Sequence, residues 1–544
     1  MALALVLRCY ELPRRGLLYW DEGKFALEGI RLQAAIQALL GSHTPIVAGK
    51  AIGTAKPTHA LLIAGSYAVF GIHDYAPLLL DALASAGAVV LVFAVARNLF
   101  GTAVGLVSAA FLAVAQYDII YARSALSESD ANLLFLAGVA VWLRSPHPPR
   151  SRGLQAGFPS RHIRPKAALP LPPNAAPFGP TTPATPLPTL ALAALLLGIS
   201  FTTNYRLVVY IATLVLVDLI RRLRTANARE TVKRALTWIA GLAAAPLAWM
   251  LLDAVTRRHG LVLFRNELTG RPSSYLSEVM YQIHQGKQSA INFDPLSYPG
   301  WFVQRQGWPM FGLLALGLGL TAGARSFRWL APAALVVIPY LIYVFAPVTV
   351  PRNLDTAIPF TTILCAAGLV EVASVLRATR LRVFVAGGIT LALVVAGSLM
   401  SWPLSGERSG YAAAAGYVET QGSGRALVSS ELLVFYLRGS GRSCMAAPLR
   451  NGLRRLAADI QAGYRFAVLD HYSWSLSRYV RDTMAVAVRY PVAGNTLGTR
   501  LIYDEQYPRK AQTTITTVTV YRLTAAHLPP PGSARPDVCD RERV

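Results

Sequence analysis

The sequence predicts an all-α polytopic membrane bundle of about ten or eleven spans, followed by a small C-terminal extracytoplasmic α/β domain. Three observations predict it. Of the 544 residues 53% are hydrophobic and only 15% charged, with a mean hydropathy of +0.41, against roughly 25% charged in an ordinary soluble domain. Stretches such as Ala76 to Ala96 and Trp329 to Pro347 carry almost no charge and approach the roughly 20 residues that an α-helix needs to cross hydrocarbon. After Trp402 the pattern turns to that of a soluble chain, with helical stretches (Tyr411 to Thr420, Leu449 to Ala462) between short β-rich runs (Ala426 to Ser429, Phe466 to Asp470, Thr513 to Arg522).

Taken in order, Ala2 to Leu7 precede Arg8 and are too short for a signal core or a span. The sequence is therefore expected to begin at a misplaced start, with most of a first membrane helix missing. The expected spans are 75–96, 104–118, 131–143, 189–203, 207–220, 234–254, 308–323, 329–347, 357–376 and 383–402. Threaded alternately through a bilayer, they place Arg97, the linker Arg144 to Pro188, the run Arg221 to Lys233, Arg325 with Arg328, and Arg377 to Arg382 on one side. By the positive-inside rule that side is cytoplasmic, although Arg14, Arg15 and Arg257 fall on the other. The domains expected are 1–402 in the membrane of the cell and 403–544 outside it. Within the first, 145–188 forms a proline-rich, disordered cytoplasmic linker and 256–307 an outer loop.

Composition also narrows function. The net charge of +24 comes with no basic groove of interleaved aromatics, so no nucleic-acid partner is expected. Membrane lipids are. Cys9, Cys365, Cys444 and Cys539 have no metal-ligand spacing and no disulfide framework. No internal repeat supports a transporter built from inverted halves.

The outer segments carry the polar residues. Tyr19-Trp20-Asp21-Glu22-Gly23 precedes Phe25, Ala26, Ile30, Ala34 and Ile36 at roughly helical spacing, a paired acid before an amphipathic helix suited to the membrane surface. Adjacent carboxylates there can supply a general base, or a base and a metal ligand. They can equally cap the helix and face its positive N-terminal dipole.

The arrangement resembles the GT-C superfamily of glycosyltransferases, in particular the family of bacterial aminoarabinose transferases and protein O-mannosyltransferases, over about residues 8 to 402. In that family a short loop carries an Asp-Glu pair whose Asp is taken as the catalytic base, matched here by Asp21 and Glu22. Ala55-Lys56-Pro57-Thr58 through Phe70-Gly71 resembles the next motif, an acid followed by Lys-Pro-Pro and an apolar helix. Ala55 stands in place of the acid and Thr58 in place of the second proline. Tyr121 to Asp130 resembles the Arg-x-x-x-x-acid segment through Arg123 and Glu128. Gly198 to Arg206 resembles Gly-x-x-x-x-Thr-Lys-Tyr, with the basic residue displaced to Arg206. Val350-Pro351-Arg352-Asn353-Leu354 resembles a Pro-Arg-Tyr-Leu turn.

The resemblance implies transfer of a sugar from a polyprenyl-phosphate carrier to a hydroxyl of a lipid, glycan or protein acceptor, with inversion, on the outer face. Asp21 and Glu22 are then the catalytic candidates. Lys56, Arg123, Glu128, Arg206 and Arg352 are candidates for holding phosphate or sugar, with Asp130 ranked below Glu128 as a helix cap. No cofactor is required by the sequence; a divalent cation, where one is used, falls to Glu22 and Glu128. The aromatics of 256–307 (Tyr275, Tyr298, Trp301, with Trp308 beyond) suit sugar stacking or the interfacial belt. His59, His73 and His284 have no partner at ligand spacing. The competing class is a transporter or flippase for a lipid-linked substrate, for which Asp81 and Asp253 are the acids within or near spans. A third is a receptor whose outer domain binds a ligand; deletion after Trp402 is expected to separate it from an enzyme.

Overall fold

The computed structural model describes residues 1–39, 55–144, 185–223, 228–258, 262–265, 272–285, 293, 295–324, 326–345, 350–421, 425–437, 446–448, 453–470, 475–491, 517–526 and 528. Nearly all of the linker 145–188 lies outside them, as do Cys444, Cys539, Asp294 and the side chain of His284.

Among the described residues each of the ten expected spans is largely helical. The helices are α1 (Ala2–Cys9), α2 (Leu12–Arg15), α3 (Trp20–Leu39), α4 (Pro57–Phe70), α5 (Tyr75–Phe100), α6 (Thr102–Ala113), α7 (Gln116–Ala122), α8 (Glu128–Trp142), α9 (Leu187–Thr203), α10 (Val208–Leu223), α11 (Ala228–Arg258), α12 (Tyr275–Gln285), α13 (Ser297–Ala324), α14 (Phe327–Val344), α15 (Ile358–Ser374) and α16 (Thr379–Ser401). Among the described residues five helical stretches are long and apolar enough to cross a membrane, or six if α6 and α7, bent by 58° at their junction, count as one. α8, α9 and α10, at 15, 17 and 16 residues, fall short of the roughly 20 that a perpendicular crossing needs. α13 breaks at Gly307, whose φ of 78° only glycine adopts without strain. The expected outer loop 256–307 is thus partly helical, containing α12 and the first part of α13.

The break between α6 and α7 frees backbone carbonyls, which apolar surroundings penalise. Arg8 at the end of α1 takes them: its guanidinium donates to Ala113 O (2.9 Å) and Leu112 O (3.1 Å) while pairing with Asp118 at 2.6 Å. Ser85 on α5 joins the same group.

The helix expected on the outer surface departs from expectation. α3 is not an amphipathic helix on a membrane surface; residues 22–30 are buried on all faces. Two glycines explain it. A Cβ on Gly29 would lie 2.4 Å from Ile63 of α4, and one on Gly23 2.5 Å from the backbone of Leu432, so α3 is approached closely on two sides.

After α16 come α17 (Gly410–Thr420), β1 (Arg425–Val428), α18 (Glu431–Leu437), β2 (Ala446–Pro448), α19 (Leu453–Gln461), β3 (Tyr464–Leu469), α20 (Ser475–Thr483), β4 (Ala485–Pro491) and β5 (Thr517–Arg522). The sheet order is β2-β1-β3-β5-β4, with β1 parallel to β2 and β3, and β5 antiparallel to β3 and β4. The α/β character predicted after Trp402 is therefore present. One continuous apolar core runs from the helical bundle (Phe111, Phe135, Phe360) into this sheet (Val428, Val468, Val520).

Candidate functional site

Asp21 and Glu22 open α3 side by side, and the fold gives them different work. Glu22 is fully buried and its four acceptor positions are all taken: Oε1 by Arg15 (3.2 Å) and Ala125 N (3.0 Å), Oε2 by Tyr19 N (2.8 Å) and Leu18 N. It closes the loop before α3 and ties it to the segment before α8. Asp21 makes no such cap. Its Oδ2 accepts from Arg352 Nη1 at 2.9 Å, with both side chains partly open to solvent. Burial by itself raises the Asp21 carboxyl, but Arg352, Lys24 and Lys56 outweigh it and hold the group below its ordinary value.

Lys56 ends the segment before α4, where Pro57 starts the helix. Its ammonium donates to Ser127 Oγ at 2.6 Å and lies 4.8 Å from the centre of the Phe25 ring, one helical turn beyond Asp21. Burial pushes this lysine down to about 8; Arg206 and Arg352 act in the same direction, while Glu128 and Asp21 oppose them. Glu128 opens α8 and faces Lys56, Arg352, Arg206 and His59 electrostatically. Arg206, in the short 3-10 turn Tyr205–Leu207 before α10, stands 3.7 Å from Glu128 Oε1. That is an ion pair but too long for a hydrogen bond. Arg206 Nη1 and Glu128 Oε2 are both buried without a hydrogen-bond partner among the described residues.

Arg352 owes its position to a 3-10 turn, Pro351–Ala357, pinned from several sides. Tyr117 of α7 donates to Pro351 O, Tyr210 of α10 donates to Asn353 O at 2.8 Å, and Asn132 of α8 binds both Asp355 (2.5 Å) and Thr356 (2.6 Å). Five of the seven candidates, Asp21, Lys56, Glu128, Arg206 and Arg352, thus form one cluster assembled from distant parts of the chain. Three cations face two carboxylates.

The other two candidates do structural work. Arg123 is buried and donates to Arg8 O (3.1 Å) and Tyr10 O (3.0 Å), so it caps the end of α1 instead of facing Asp21. Glu22 has no lone pair left for a cation. The residues present do not fit a metal shared by Glu22 and Glu128, and among the described residues no group of three His, Cys, Asp or Glu is placed to hold one.

Sequence reasoning passed over a neighbouring pair. His59 Nδ1 meets Asp130 Oδ2 at 2.8 Å, both buried, with the imidazole edge-on to Phe25. The signal was the spacing of three between Lys56, at the N-cap of α4, and His59 in its first turn, which brings both to the same end of that helix. Asp130 also accepts from its own helix, at Ala131 N. Asp81 is buried on α5, and Asp253 pairs with Arg257 at 3.0 Å. Of the aromatics, Tyr275 and Tyr298 are packed inside, whereas Trp308 is 71% exposed.

Comparison with known proteins agrees with this frame. The family model described as dolichyl-phosphate-mannose-protein mannosyltransferase matches residues 54–146, which contain Lys56, Arg123 and Glu128. No curated protein matches the chain. Among solved structures, ArnT from Cupriavidus metallidurans in the apo state is similar over 97% of this chain and 98% of its own, with a TM-score of 0.59 and 14% identity. The same protein bound to undecaprenyl phosphate gives 0.59 and 15% over the same shares. The apo oligosaccharyltransferase of Archaeoglobus fulgidus is similar over 86% of this chain and 68% of its own, with a TM-score of 0.55 and 11% identity. At these identities the likeness is one of fold, shared with ArnT and with the archaeal oligosaccharyltransferase.

Proposed function

We propose that this chain is a glycosyltransferase that moves a sugar from a polyprenyl-phosphate-linked donor to an acceptor hydroxyl at the outer face of the cell membrane, with inversion. The observation that carries the reading is the convergence of Lys56, Arg206 and Arg352 around Asp21 and Glu128. Three cations against two carboxylates leave positive charge that a phosphate monoanion or dianion neutralises. ArnT from Cupriavidus metallidurans, which is similar in fold, binds undecaprenyl phosphate, which agrees with that chemistry. A donor held in the bilayer by its tail also accounts for an enzyme built of apolar helices.

In the reaction, Asp21 removes the proton from the acceptor hydroxyl as that oxygen bonds to the anomeric carbon. The bond from this carbon to the phosphate oxygen breaks, and the polyprenyl phosphate leaves with the electron pair, stabilised by Lys56, Arg206 and Arg352. The Asp21–Arg352 pair gives the sequence of events a logic. While paired, the carboxylate is a weak base; a phosphate that engages Arg352 withdraws this partner and strengthens Asp21 when the donor is in place. Glu128, whose Oε2 has no hydrogen-bond partner among the described residues, accepts from a sugar hydroxyl. Glu22 serves as the positioning group for the loop that carries Asp21. In this reading the C-terminal α/β domain lies outside the membrane, over the site.

The test is transfer of label from radiolabelled polyprenyl-phosphate sugars to acceptors in membranes carrying the wild type or Asp21→Asn. The expected result is a loss of at least about 100-fold in the variant at equal abundance. Full activity in Asp21→Asn reduces Asp21 to a structural group, and no transfer from any of a broad donor panel overturns the enzyme reading.

A further inference from the structure

The loop that delivers Asp21 is held by residues from the far end of the chain. Between Gly16 and Glu22 three successive backbone N–H groups are accounted for: Leu18 and Tyr19 by the Glu22 carboxylate, and Leu17 by the hydroxyl of Tyr436 on α18, at 2.7 Å. The same hydroxyl donates to Asp74 Oδ2, at the start of α5, at 2.9 Å. Ser409 donates to Leu17 O at 2.7 Å. There is no slack in this junction. Gly16 has φ +69°, and a Cβ there would meet Ser409 Cβ at 2.6 Å and the Tyr436 hydroxyl at 2.8 Å. One step beyond Asp21 and Glu22, Gly23 brings α3 against the backbone of Leu432 on α18.

We propose that Tyr436 is a positioning residue for the transfer reaction: its hydroxyl bridges the Leu17 backbone to Asp74 and so fixes Asp21 relative to the phosphate-binding cations. The inference rests on the reading of Asp21 as the base. The bridge joins three elements that no local sequence connects, the loop before α3, the first turn of α5 and α18. Removing the hydroxyl leaves the buried Leu17 N–H unpaired, and the loop moves to find water. Lys56, Arg206 and Arg352 lie on other segments, so the bridge reaches donor affinity only through the Asp21–Arg352 contact, which competes with the phosphate for Arg352, whereas it sets the distance of Asp21 from the acceptor oxygen directly.

Tyr436→Phe in the full chain keeps the ring and removes only the bridge. With purified enzyme and a polyprenyl-phosphate sugar, kcat falls by about 10- to 100-fold, the scale of an ångström of misplacement. KM for the donor does not rise, because the loosened Asp21–Arg352 contact leaves Arg352 free for the phosphate. Because the Asp21–Arg352 contact loosens, the acid limb of the kcat/KM profile moves to higher pH; the groups facing Asp21 there are Arg352, Lys24 and Lys56. Ser409→Ala, which removes the second tie on Leu17, lowers kcat in the same direction. Leu456→Ala, buried in the separate cluster under α19 and β3, loosens the C-terminal domain without touching the bridge and keeps transfer. Wild-type kcat and pH profile in Tyr436→Phe overturn the inference, as does an equal loss in Leu456→Ala. Asp21→Asn run alongside separates the failures: if it retains transfer the base assignment falls and the inference with it, and if it is inactive while Tyr436→Phe is normal, the inference alone falls.

Discussion

Lys56 is the residue at which charge and burial are most directly opposed. The residue is 5% exposed, its ammonium lies between an aromatic ring and a hydroxyl with two guanidinium groups nearby, and it is held down to about 8. A lysine lowered in this way is charged below that value and neutral above it. Donor binding that depends on the charge is therefore strong at neutral pH and weakens as pH rises through about 8. The expected outcome is a rise of about tenfold or more in the donor KM between roughly pH 7 and 9.5. Lys56→Arg, whose guanidinium stays charged across that range, flattens the rise. A KM in the wild type that is flat over the interval removes Lys56 from phosphate binding. At this scale the sequence offered candidates more readily than roles. It put Asp21 and Glu22 together but had no means of dividing them, because the partners that do so, Ala125 and Arg352, lie 103 and 331 residues away. Arg123 failed for the same reason: its carbonyl partners on α1 are more than 110 residues distant.

At the scale of elements, hydropathy located the helices well, since apolar length is a property of the segment alone. What it did not reveal was where helices break and who repairs them. The segment 104–118 reads as one span, yet it bends between α6 and α7, and the repair comes from Arg8, next to a stretch too short for a signal core or a span. Arg15 likewise counted against the positive-inside pattern, and its distant partner was not visible in the sequence. It is fully buried, paired with Glu22 and Glu407 at 3.2 and 3.5 Å. The Arg8–Asp118 pair offers a test of this repair. Removing one partner of a buried pair leaves an uncompensated charge, at a cost of about 3–5 kcal/mol. Arg8→Met and Asp118→Leu are each expected to lower the thermal midpoint of the detergent-solubilised protein sharply. The double variant should be less destabilised than the sum of the two, since it removes both charges together. Additive losses would mean that Arg8 acts on the carbonyls of Leu112 and Ala113 alone.

For the whole molecule, the sequence divided the chain at Trp402 and made deletion beyond it a way to tell an enzyme from a receptor. The contacts across that boundary remove the distinction. Arg408 pairs with Glu11 at 2.9 Å, Glu407 with Arg15, Ser409 and Tyr436 hold Leu17, and Leu432 lies against Gly23. The strap from Glu11 to Gly23 that presents Asp21 is thus built by both ends of the chain, and a shared core behind it is continuous. An enzyme also loses transfer when the C-terminal domain is removed. What separates the functions is where each quantity resides. Lys56, Arg206 and Arg352 are carried by segments before Trp402, so under the proposed function binding of a polyprenyl phosphate belongs to the helical part, whereas turnover needs Asp21 in place and belongs to the whole. Deletion after Trp402 is therefore expected to abolish label transfer, by about 100-fold or more, while the membrane-inserted remainder binds a labelled polyprenyl phosphate within several-fold of the full chain. A deleted chain that transfers sugar at the wild-type rate would show that the strap orders itself without the C-terminal domain. One that loses carrier binding along with transfer would show that the strap and the cationic cluster are a single cooperative unit, with the C-terminal domain part of the phosphate site itself.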